Sequence, residues 1–118
     1  MSGYIIRLPV IKEVKESYLN AAFASYICSL DEAKKILDYL LAPITALTEE
    51  TSTTAELANL LYEGTIAASQ AGHTKAKGVA FLLIRVLLFD YYHNHEQVID
   101  DLLMRYKALI EDQDAEHV

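Results

Sequence analysis

With one cysteine, Cys28, the chain has no intrachain disulfide and no cysteine pattern for a metal, which fits a reducing compartment and makes cytoplasm the expected location. Two prolines and four glycines are too few for a loop-rich chain, and 53% hydrophobic residues excludes intrinsic disorder. The opening Met-Ser-Gly-Tyr-Ile-Ile-Arg has no long apolar segment behind a basic end, so no signal peptide is expected. The most apolar run, residues 79–89, is far short of the ~20 residues a membrane span needs, and Arg85 interrupts it. Bases are scarce: ten against seventeen acids give a net charge of −7. That balance repels nucleic acid and anionic membranes and favours a basic partner.

What is present reads as an all-α fold. A chain of 118 residues is one domain by length and large enough to bury a core without staples. The run 79–89 is apolar on every side, so it predicts a central helix, continuing to residue 92, with the other helices wrapped around it. About five helices are expected in a single-domain bundle, 1–118, with an extended arm at 1–8 and an acidic, frayed tail at 111–118. Helix one spans 9–28, its apolar Ile11, Val14, Tyr18, Ala22 and Tyr26 recurring every three or four residues.

Ser29-Leu-Asp-Glu32 is a capping box that opens a second helix, whose face is Ala33, Ile36, Leu37, Leu40 and Leu41 and whose smooth continuation Pro43 forbids. Residues 44–54 read as a solvated connection. Thr53-Thr-Ala-Glu56 is a second capping box, opening a helix to about residue 70 that Gly72 ends in the left-handed conformation. Gly64 and Ala68 on that helix would let a neighbouring backbone come close. The last helix, 95–110, has the stripe Val98, Ile99, Leu102, Leu103, Tyr106, Leu109 and Ile110.

Charge is segregated along the chain. Residues 38–74 hold five acids and no base, residues 75–89 three bases and no acid, and residues 90–118 eight acids and two bases. On the third helix Glu56, Asn59, Glu63 and Gln70 fall within a sector of roughly 60 to 70° at 100° per residue, bordered by Tyr62 and Ile66. Such a face reads in two ways. It is either a solvated face kept acidic for solubility, or a docking surface whose carboxylates steer a basic partner while Tyr62 supplies an anchor. The candidate partner-binding residues are Glu49, Glu50, Glu56, Tyr62 and Glu63 first, then Tyr91, Tyr92, Asp100 and Asp101.

Arg85 on an apolar helix must be paired with a carboxylate, reach water along its stem, or bind a small anion; the ion pair is the expectation. The cluster Asp90-Tyr-Tyr-His93-Asn-His95-Glu96 is the only one with metal-ligand types. It lacks a regular helical spacing, so a polar helix end is expected and no metal or cofactor. Cys28, at a helix end with no histidine beside it in sequence, reads as inert core.

No nucleophile, base or metal set converges, so catalysis is not expected, and no basic stripe suits direct nucleic-acid binding. In size, acidity and helicity the chain resembles the small all-helical immunity proteins with which bacteria neutralise their own toxins, including those of contact-dependent growth inhibition systems. The resemblance implies a one-to-one inhibitor of a basic partner such as a nuclease toxin. The alternative is a self-associating scaffold or regulatory module, so both monomer and homodimer remain open; a third reading is a small-anion pocket at Arg85.

Overall fold

The structure, a computed structural model, describes residues 4–7, 28–87 and 96–116. Its order is β1 (Ile5–Arg7), α1 (Leu30–Thr45), β2 (Thr51–Thr53), α2 (Thr54–Gln70), α3 (Ala76–Leu82) running on as a π-helical turn (Leu83–Leu87), and α4 (Glu96–Glu116). The helix expected at 9–28 lies outside the described residues except for Cys28, which is a bend. Among the described residues no helix is long and apolar enough to cross a membrane.

Helices dominate, as the periodicity requires, and the termini explain where they start and stop. Ser29 Oγ accepts the Glu32 N–H at 3.2 Å and Thr53 Oγ1 accepts the Glu56 N–H at 3.1 Å, so the first half of each capping box forms. The carboxylates do not reach back as the box predicts. Glu32 faces His73 Nδ1 at 3.8 Å, and Glu56 turns to the Ser52 hydroxyl. Helix α2 ends on Gly72 at φ +98°, with Gly72 N–H on the Ser69 carbonyl and His73 N–H on the Ala68 carbonyl, both at 3.0 Å. That pair of bonds is the Schellman motif, which satisfies carbonyls the helix leaves open.

The structure refines these expectations. The fold is mostly helical, as expected, with one addition: β1 and β2 form an antiparallel ribbon, with Ile5 opposite Thr53, Ile6 opposite Ser52 and Arg7 opposite Thr51. Its β-branched residues suit a strand, but the partners are more than forty positions apart, and no local pattern announces such a pairing. Pro43 does not stop α1, which continues to Thr45. The proline withholds one N–H from the Tyr39 carbonyl, and so near the helix end that single loss is tolerated. The expected frayed tail is helical to Glu116.

Of the expected central helix, residues 88–92 lie outside the described residues; the described part starts at Ala76 and widens into the π turn. Val79, Ala80, Leu83 and Ile84 are buried, but Phe81 and Leu82 are only partly so, and Arg85 is exposed and joined by no ion pair to another described residue. A turn with i→i+5 bonding changes the angle at which later side chains leave the axis, so a wheel drawn at 100° per residue fails there.

The most extensive packing is between α1 and α2, followed by α2 and α4. Leu37, Leu40 and Ile44 of α1 and Leu57 and Leu61 of α2 are buried, and Ile6 of β1 joins the same core at 1% exposure. From α4 come Ile99, Leu102, Tyr106 and Ile110. Inside it Thr65 Oγ1 gives its proton to the Leu61 carbonyl at 2.8 Å, so the Tyr106 hydroxyl, 2.7 Å away, donates to Thr65. Phe81 meets the Tyr106 ring edge-on at 5.2 Å.

Candidate functional site

The ribbon positions the site. Ile6 and Ser52 turn inward, so Ile5, Thr51 and Thr53 face outward, beside the first turns of α2 and the loop that carries Leu47 and Glu49. Between them lies a groove of about 570 Å³. Its apolar surface comes from Leu47 and Leu60, both partly buried against the core, and from Ile5, which is 64% exposed. Glu49, Glu56 and Asn59 line it as well, with Thr51 to Thr53 along the ribbon side.

The polar groups are oriented by short local bonds. Ser52, 4% exposed, has its Oγ 3.1 Å from Glu56 Oε2 and 3.2 Å from the Thr53 carbonyl, so its single proton is shared between a carboxylate and the backbone. The other Glu56 oxygen takes no bond from a described residue. Asn59 spends an Nδ2 proton on the Ala55 carbonyl at 3.0 Å, which leaves its amide oxygen as an acceptor. The groove is thus rich in acceptors, and the first-turn N–H groups of Thr54 and Glu56 are already used on Tyr4 and Thr53.

Of the residues singled out from sequence, Glu49 and Glu56 meet in this groove. Glu50 is exposed on the approach to β2, and Glu63 is exposed about two helical turns along from Glu56. Tyr62 is partly buried and packs against the core. Tyr91 and Tyr92 lie outside the described residues, as do residues 90–95 of the histidine cluster. Asp100 is exposed.

Asp101 is not brought to the groove. Its Oδ2 accepts from the Thr54 hydroxyl and from Arg105 Nε, the latter at 2.8 Å. Burial alone would raise this carboxyl, but the bonds from Thr54 and Arg105 and the charge of Arg105 together hold it below the usual 3.8. The same Thr54 oxygen accepts the Tyr4 N–H at 3.1 Å, while the Thr54 N–H donates to the Tyr4 carbonyl at 2.8 Å. Asp101 is therefore an internal latch between α4, α2 and the ribbon. Cys28 is partly buried; burial first and the Glu32 carboxylate second push its thiol above 9.0, with Lys75 opposing. It is a protonated, poor nucleophile at neutral pH.

Sequence reasoning missed Ile5, Leu47, Ser52 and Leu60 as parts of one site. Three β-branched or hydroxyl residues, Thr51 to Thr53, directly before a capping box were the available signal for a short strand feeding a helix. No protein family, curated protein or solved structure matches the chain.

Proposed function

We propose that this chain is a non-enzymatic binding protein whose acidic groove docks a basic protein partner, acting as an inhibitor of the immunity-protein type against a nuclease toxin. The observation that carries the reading is the groove itself: Glu49 and Glu56 stand beside exposed apolar surface from Ile5, Leu47 and Leu60. Carboxylates steer a basic target and can occupy positions where it expects phosphates, while apolar surface supplies the contact area that charge alone does not. Glu50 and Glu63 extend the negative field around the groove. The complex forms in the cytoplasm, one to one, and dissociates with salt.

A self-associating scaffold is the second reading, favoured by Tyr4 and Ile5, large hydrophobic residues that are 43% and 64% exposed. One experiment separates the two. Tagged protein is incubated with extract of its native cell at low salt, eluted with a salt gradient and analysed by mass spectrometry, with light scattering of the purified chain alongside. The inhibitor reading expects one stoichiometric basic protein and a monomeric bait. Recovery of the bait alone, as a dimer at low micromolar concentration, would leave the scaffold instead.

A further inference from the structure

The groove sets the acceptors Glu49, Glu56 and Asn59 beside aliphatic surface and the hydroxyls of Thr51 to Thr53, and its chemistry is more specific than negative charge. We infer that it is a receptor for one arginine side chain presented by the protein partner, an inference that rests on the docking reading of the same groove. The ligand must bring both an apolar stem and several donors. Leu47, Leu60 and Ile5 offer aliphatic surface, which the methylene stem of a long side chain can cover while its head stays polar. Glu49, the Glu56 oxygen that takes no bond from a described residue, and the Asn59 amide oxygen are acceptors.

An anion is disfavoured, because the N–H groups of Thr54 and Glu56 at the start of α2 are already bonded and carboxylates line the groove. Between the two biological cations, guanidinium fits better than ammonium. Its five donors lie in one plane and serve several separated acceptors at once, whereas an ammonium is a compact point charge that pays more to leave water. Glu56 is also oriented in advance by Ser52, whose hydroxyl is itself held in the buried layer of the ribbon. A pre-positioned carboxylate loses less freedom on binding and rewards a fixed fork.

The test uses the full chain with methyl-labelled isoleucine and leucine, titrated at low salt with the acetylated, amidated pentapeptide Gly-Leu-Arg-Leu-Gly. Matched peptides carry lysine or the neutral isostere citrulline at the centre. The inference expects saturable shifts of the Ile5, Leu47 and Leu60 methyls, binding about fivefold weaker for lysine, and none for citrulline. Glu56→Gln, which keeps the helix start, and Glu49→Gln, in the loop, each weaken the arginine peptide by about tenfold. Equal binding of the lysine or citrulline peptide, or shifts confined to other methyls, overturns the arginine site. Groove shifts that appear on concentrating the chain without peptide would assign the groove to a second copy and overturn it too. Should the peptides fail while a basic protein still elutes from wild-type bait and not from bait reversed at Glu49 and Glu56, the arginine site falls and the docking reading stands.

Discussion

Gly64 decides how closely the two principal helices approach. A methyl built on it would lie 2.6 Å from the Tyr39 carbonyl oxygen and 2.7 Å from the Leu40 Cα, both backbone atoms of α1. Helix propensity favours Gly64→Ala by up to about 1 kcal/mol, but overpacking against backbone costs about 1–3 kcal/mol and has no flexible side chain to absorb it. The variant is therefore expected to unfold at lower urea concentration, and an unchanged or higher midpoint would show that α1 can move away. The carbonyl it meets is the one Pro43 leaves without its helical N–H, so the two sequence oddities describe one contact. Gly64 was legible as a small residue on a packing face; its partner on α1 was not, because local spacing does not say which backbone arrives.

Tyr106 gives a second residue-scale test. Burial pushes its phenol up to about 12 from an ordinary 10.0. A group whose folded value is raised stabilises the fold fully below the unfolded value and loses that contribution as pH climbs through the folded one. Stability is thus expected to fall between about pH 10 and 12, and Tyr106→Phe should flatten that fall. Urea midpoints measured across that range check it; the same slope in both proteins would place the alkaline titration elsewhere. Arg85 shows the opposite outcome of sequence reasoning. For a cation in an apolar run an ion pair is the expectation, and Arg85, in the π turn, is instead exposed with no ion pair to another described residue.

Among the elements, the ribbon is tied to the helices through Thr54. Thr54, fully buried at the first position of α2, bonds Tyr4 through its amide and its hydroxyl, and the same hydroxyl donates to Asp101 on α4. Thr54→Val keeps the shape but strands the Tyr4 N–H and removes one donor from the Asp101 carboxylate, a loss of about 1–3 kcal/mol. The Asp101 value is depressed on folding, so the latch stabilises fully above the ordinary 3.8 and is lost as pH falls through the lower folded value. Wild type is expected to lose stability in that acid window and Thr54→Val to lose less of it, as read from thermal unfolding at stepped pH. Identical acid sensitivity would remove Asp101 from the account. The helix starts at Ser29 and Thr53 and the Gly72 stop were legible because capping is a rule of neighbours. The ribbon was not, because Ile5 to Arg7 and Thr51 to Thr53 acquire meaning only when paired.

At the scale of the whole molecule, the segregated charge is the feature that sequence and structure share. The acid-only stretch, residues 38–74, supplies the two carboxylates of the groove, while the apolar surface beside them comes partly from the ribbon and so was invisible along the chain. A merely solvated face needs no such surface beside its carboxylates. In the proposed reading this face, and not acidity in general, recruits the partner. That reading is tested most directly by comparing two baits in the same extract at the same low salt: wild type and the double variant Glu49→Lys, Glu56→Lys, with circular dichroism confirming that both are folded. A stoichiometric basic protein is expected to be retained by wild type and lost by the variant. Equal retention by both baits would contradict that reading.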